Sequence, residues 1–239
     1  MSTYVLVHGA WHSGDLFENT AEVMRKSGHE VLLPTLAGNI DRGDKDVGLN
    51  EAIQSAIDFI EESMTDNFIL LGHSYGGMII TGVADRLRDK VRRLIYWNAF
   101  VPNDGECLTD MIPADTVELF NTLLDDDGSL SLPFPIWREA FINDATRELA
   151  EAAYAKLNPH PFKTFTDRIK LVTNPAEMSI PKSYLNCTED TALPQSLGWH
   201  PRLSEKLGLF RLVQCPGSHE LCFSDPDLLA EKILQAGRD

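Results

Sequence analysis

The stretch "FILLGHSYGGMII", Phe68 to Ile80, sets one serine, Ser74, between Gly72 and Gly76. Apolar residues run up to it and away from it. This is a G-x-S-x-G pattern placed after a strand-like run and before a helix-like one, the context in which the pattern carries meaning. A serine at such a corner has a forced backbone, and the flanking glycines relieve the crowding. Its hydroxyl is exposed at the carboxyl end of the sheet, where the N–H groups of the following helix also point. The chemistry expected of such a hydroxyl is nucleophilic attack; the alternative is a tight turn with an idle serine.

A serine hydroxyl is a poor nucleophile without a base. Of seven histidines, His219 in "CPGSHELCF" follows the last strand-like run by a short loop, which returns it to the edge of the sheet that carries Ser74. His73 adjoins the serine but its side chain must point away from it. His8 and His12 lie in the loop after the first strand and are read as shaping the site. An acid must hold the imidazole. Asp190, in "YLNCTEDTALP", follows the penultimate strand, and the order Ser–Asp–His favours it; Asp104, in "NAFVPNDG", is the alternative, or a turn residue before Gly105. The oxyanion needs fixed donors. These are expected from the amide of Tyr75 and from the loop "HGAWHSG", with Ala10 favoured over Trp11. Gly9 permits the backbone to approach closely.

Elements that place these residues follow from the pattern. Strands are predicted at Tyr4–Val7, Val31–Leu33, Phe68–Leu71, Arg93–Trp97, Ser183–Cys187 and Phe210–Gln214. Their continuous apolar character predicts burial on both faces. Leu49, Ala52, Ile53, Ala56, Ile57 and Ile60 follow the stripe of an amphipathic helix, and further helices are expected near 15–27, 76–89 and 225–236. The last opens with "SDPD", in which Ser224 or Asp225 can cap and Pro226 can stand at N1. Alternation of strand and helix predicts an α/β fold: a mostly parallel sheet of about six strands, doubly wound. The core is expected over 1–102 and 182–239. Residues 103–181 lack a convincing core strand and read as an inserted helical cap. Phe120, Phe134, Trp137, Phe141 and Tyr154 are candidates to line a pocket beneath it, or to hold the cap together. Trp11 and Trp137 are the expected substrate contacts.

The 239 residues carry 36 acidic and 21 basic side chains, a net charge of −15. Such a surface repels nucleic acid and anionic membranes, so neither is an expected partner. The N-terminus has no basic region and only a short apolar run, and no run approaches a membrane span. These features, with four cysteines lacking any CxxC pair, predict a cytoplasmic protein with reduced thiols. His219 and Cys222 share an HxxC spacing, but no second pair completes a zinc set, so no metal is expected.

The segments "VLVHGAWHSG", "GHSYGGM", "NAFVPNDG", "CTEDTALP" and "PGSHELCF" resemble the α/β-hydrolase superfamily. They are most similar to the group of plant methylesterases, hydroxynitrile lyases and small bacterial esterases. The resemblance spans the chain in the family order. It makes the aspartate of "CTED" before "LP" the triad acid, which strengthens Asp190. It implies a cofactor-free ester hydrolase acting on a small molecule, with a helical cap and often a dimer. The lyase branch carries threonine at the position of Gly9 and lysine at that of Glu220; both differ here, which favours hydrolysis. Amide or carbamate hydrolysis, a cofactor-free lyase or dioxygenase, and a ligand-binding receptor on the same fold remain the alternatives.

Overall fold

A computed structural model of the chain, describing residues 1–40 and 43–239, is built on a six-stranded sheet. Its strands are β1 (Thr3–Val7), β2 (Glu30–Leu32), β3 (Phe68–His73), β4 (Val91–Trp97), β7 (Lys182–Cys187) and β8 (Arg211–Cys215). A two-residue antiparallel ribbon, β5 (Ser129–Leu130) with β6 (His160–Pro161), lies apart from it. The order β2-β1-β3-β4-β7-β8 is parallel throughout. From β1 the chain crosses outward to β2 and then returns past β1 to β3. The order therefore reverses between β1 and β3, and ligands bind beyond the carboxyl ends of strands at such a reversal.

The central strands are fully buried, as their unbroken apolar sequences require: β3 and β7 have no exposed residue. The final strand differs. As an edge strand, β8 buries only Val213 and Cys215 and leaves Leu212 partly exposed. It also starts one residue later than predicted. Helices cover both faces: α1 (Glu18–Lys26), α2 (Leu49–Glu62), α3 (Gly76–Arg86) and α9 (Pro226–Ala236). All six predicted stripe residues of α2 are buried, and burial of each isoleucine contributes about 1.5–3 kcal/mol. Helix α9 is capped by the Asp225 carboxylate, which accepts from the Leu228 amide at 2.9 Å, with Pro226 in the first turn.

Between β4 and β7 the chain forms α4 (Ala114–Thr122), a single turn α5 (Phe134–Ile136) continued by a wider-wound turn Trp137–Phe141, α6 (Arg147–Tyr154) and α7 (Lys163–Thr166). These pack over the carboxyl end of the sheet. Thr146 caps α6 by accepting from the Leu149 amide. A short helix α8 (Leu221–Ser224) follows the last sheet strand and precedes α9.

Candidate active site

Ser74 occupies the turn between β3 and α3 with φ of 55°, in the left-handed region that L residues rarely adopt. Three backbone hydrogen bonds hold it there. Its amide donates to Trp97 O, and its carbonyl accepts from the Gly77 and Phe100 amides. The glycines around it are obligatory. A Cβ on Gly72 would stand 2.5 Å from Gly76 O, one on Gly76 2.7 Å from Val7 O, and one on Gly77 2.1 Å from Phe100 O. Because α3 must pass this close to β1 and to the loop after β4, no side chain fits.

His219 follows β8 and is buried. Its Nδ1 lies 2.6 Å from Asp190 Oδ2, and the Asp190 side chain is fully buried. The other Asp190 oxygen accepts from the Ala192 amide at 2.8 Å. Asn98, at the end of β4 with φ of 35°, donates its Nδ2 to Asp190 Oδ2, while its Oδ1 accepts from the Cys187 amide at 2.7 Å. Asn98 thus ties the Asp190 loop to the neighbouring strand. Nothing local in the sequence marks it, because its partners are about ninety residues away. Asp104 is exposed elsewhere, and its carboxylate accepts from the Leu171 amide at 2.8 Å, a loop tether.

The imidazole of His219 is sandwiched. Trp199 stacks on it at 5.1 Å with 18° between planes, and Phe141 meets it edge-on at 5.4 Å. His73 sits behind, with its Nε2 2.9 Å from the His219 carbonyl. His8 lies deeper, its Nδ1 donating to Gly9 O at 2.8 Å and its Nε2 accepting from the Leu36 amide at 3.1 Å. Burial holds the His8 pKa down at about 4. It therefore braces the loop as a neutral group.

Ser74 and His219 line one cavity of about 210 Å³ at the carboxyl end of the sheet. Ala10 and Tyr75 line it too, and neither amide donates to another group among the described residues. Those two amides are free to receive an oxyanion. Trp11 forms another wall, with φ of 63°. Its Nε1 donates to Leu130 O at 2.8 Å and its carbonyl accepts from the Asn158 amide at 2.7 Å, which ties the first loop to the segment above it. The remaining lining is apolar, with Phe100, Phe120, Phe141, Phe165, Leu193 and Trp199 prominent, and no Asp, Glu, Lys or Arg among the described residues takes part.

One expectation needs correction. Trp137 does not line the cavity. It is wholly buried, stacks behind Phe141 and donates its Nε1 to Ala150 O, so it packs the segment between β4 and β7 together rather than lining the cavity. Phe134 and Tyr154 likewise pack on each other. Glu220, which stands where the lyase branch has lysine, turns away from the cavity: it is buried, with Oε2 3.3 Å from His12 Nε2. Gly9 allows the close approach expected of it: a Cβ there would press on His73 Nδ1 and the Ser74 Cβ at about 3 Å.

The sequence matches the alpha/beta hydrolase family over residues 4–232. The chain belongs to that family. It is 32% identical to a carbendazim hydrolyzing esterase of Nocardioides sp. (strain SG-4G), an alignment covering 99% of this chain and 100% of the relative. A solved extracellular α/β-hydrolase from a Paenibacillus species, described as sharing structural and functional homology with tobacco salicylic acid binding protein 2, superposes with a TM-score of 0.95. The two are 36% identical over the whole of both chains. Methylesterase 8 of Arabidopsis thaliana is 23% identical, over 97% of this chain and 88% of the relative. The protein is accordingly a carboxylic ester hydrolase related to the methylesterase group. No helix among the described residues is long and apolar enough to cross a membrane.

Proposed function

We propose that the protein cleaves small uncharged carboxylic esters through an acyl-enzyme formed on Ser74. The observation that carries this reading is the 2.6 Å contact of His219 Nδ1 with the buried Asp190, on an imidazole that shares its cavity with a serine held in left-handed backbone geometry. Asp190 keeps the proton on Nδ1, which leaves Nε2 as the base. Nε2 takes the Ser74 proton as Oγ bonds to the ester carbon. The Ala10 and Tyr75 amides receive the oxyanion. Collapse of the tetrahedral adduct breaks the bond to the alkoxy oxygen, which leaves as the alcohol with the proton from His219. Water then repeats the sequence on the acyl-enzyme and releases the acid.

The apolar lining supports an uncharged substrate. Seating a carboxylate or ammonium there without a partner costs several kcal/mol, and each ~1.4 kcal/mol is tenfold in rate. The lyase reading is disfavoured on a new ground. Departing cyanide needs a cation, and the lining has no lysine or arginine. A cytoplasmic location is part of the proposal, supported by four free cysteines; a fractionation experiment checks it, since the Paenibacillus relative is described as extracellular.

The test is a panel of p-nitrophenyl acetate, neutral aromatic and aliphatic methyl esters, a methyl carbamate, a methyl ester bearing a second free carboxylate, and mandelonitrile. Turnover of neutral esters with a serine-bound acyl group by mass spectrometry is expected. The carboxylate-bearing ester should fall by about 10³ in kcat/KM, the size a few kcal/mol of charge burial implies. Cyanide release from mandelonitrile alongside inert esters would make the protein a lyase.

A further inference from the structure

We propose that His12, His73 and Glu220 form a binding site for a divalent transition-metal ion, zinc in the first instance, buried behind Ser74 and His219. The three side chains converge from different parts of the chain. His12 lies in the loop after β1, His73 ends β3 beside Ser74, and Glu220 follows His219. None is more than 2% exposed. One ligand atom from each lies within 4.8 Å of the other two. His12 Nε2 and Glu220 Oε2 are 3.3 Å apart. Tetrahedral zinc with bonds of about 2.0–2.1 Å separates its nitrogen and oxygen ligands by about that distance.

The hydrogen bonding points the same way. Neither nitrogen of His12 has a hydrogen-bond partner, and Nδ1 of His73 has none. Buried polar atoms are rarely left so, and an ion or water at the centre is the usual remedy. His73 turns its Nε2 to the His219 carbonyl at 2.9 Å. A histidine that donates one ring N–H to a backbone carbonyl presents the other nitrogen as a lone pair, the arrangement of metal-ligating imidazoles. Two imidazoles and one carboxylate suit zinc, cobalt or nickel; calcium and magnesium prefer an all-oxygen set. Trp137 and Phe223 meet His12 edge-on and close the site to solvent.

This ion takes no part in the ester chemistry, since Glu220, His12 and His73 are outside the cavity lining. It would instead grip the neighbours of both Ser74 and His219. Its occupancy would therefore set how rigidly the two are held. The site is independent of which ester the protein cleaves.

Because the site is enclosed, zinc is best supplied during folding. The full chain is expressed in zinc-supplemented medium, desalted and assayed for metal by mass spectrometry. Purified protein is also heated with ZnCl2 or with EDTA. Wild type is expected to carry close to one zinc per chain. Zinc at about 100-fold above its Kd should raise Tm by about 5–10 °C for a chain of this size. Glu220→Gln and His12→Gln should each lose the metal and the zinc-dependent Tm shift, with circular dichroism confirming that they fold. A double variant Cys187→Ser/Cys215→Ser should keep both, because those thiols lie 3.8 Å apart at a different place. Wild type without zinc and with a Tm indifferent to it overturns the proposal. So does zinc retained by both Glu220→Gln and His12→Gln, or lost from the cysteine variant.

Discussion

Ser74 and Asp190 make the sharpest demands at the scale of single residues. Ser74→Ala keeps the turn, since alanine needs no more room, and should lower kcat by about 10⁴–10⁶ with the fold intact. Circular dichroism with a p-nitrophenyl acetate assay checks this; near-normal turnover would remove the serine from the mechanism. Asp190→Asn should cost on the order of 10⁴ in kcat, because an amide cannot hold the imidazole in the needed tautomer. Asp104→Asn touches only the tether to the Leu171 amide and should leave kcat within a few fold. The reverse ranking would move the acid to the earlier strand end. What the sequence could show at this scale is which residues stand at strand ends. It could not show which way they face. Glu220 is adjacent to His219 yet points away from the cavity, and Trp137 looks like a pocket aromatic yet packs inside the segment between β4 and β7. Asn98 was hidden because its partners come from a strand ninety positions on.

At the scale of elements, the turn from β3 into α3 is an exercise in clearance. Gly76 faces Val7 O and His8 O at the end of β1, and Gly77 faces Phe100 O after β4. All of these are backbone atoms, which cannot rotate aside. Gly77→Ala should therefore force α3 outward, destabilise the fold by roughly 3 kcal/mol or more and lower turnover, because Ser74 and the Tyr75 amide ride on the same turn. Urea unfolding measures the first effect and ester turnover the second. Gly105→Ala is the control: no atom lies within 4 Å of its added Cβ, and its cost comes from a φ of 77° alone. Equal losses in the two would mean that backbone conformation matters here and clearance does not. The order of elements was legible because buried parallel strands are written as unbroken apolar runs. The edge strand β8 was misplaced by one residue because solvent on one side relaxes that signal. The path of the chain over 103–181 was not legible, since short helices and proline joints owe their positions to contacts with the sheet rather than to periodicity.

The whole molecule sets two opposing responses to acid. Its net charge is −15 and its sequence pI is about 4.8. Surface repulsion alone would make it more stable as the pH falls toward that point. The interior argues otherwise. His8, His12, His73 and His160 are completely buried, and desolvation lowers the pKa of each, to about 4 for His8. In the unfolded chain they titrate near 6.5. Above that value both states are neutral and the histidines contribute no pH dependence. Below it the unfolded chain takes up protons that the native state refuses, so stability falls. Each such histidine removes about 1.2 kcal/mol between pH 7 and 5.5. Glu220 has the opposite sign. Burial raises its pKa, so in metal-free protein its burial is least costly at low pH, and this offsets part of the histidine loss. Four histidines against one carboxyl leave a net loss, smaller than the ~5 kcal/mol of the histidines alone, and a chain of this size shifts Tm by about 2–4 °C per kcal/mol. In EDTA and 0.15 M salt, where charges beyond ~8 Å are screened, Tm should drop by several °C from pH 7 to 5.5. Replacing His160, which bonds Asn39 and Thr164 and packs on Tyr75, with Gln should remove about a quarter of the histidine contribution to that slope. A Tm that climbs toward the pI would mean that surface repulsion outweighs the cost of keeping four imidazoles neutral in the core.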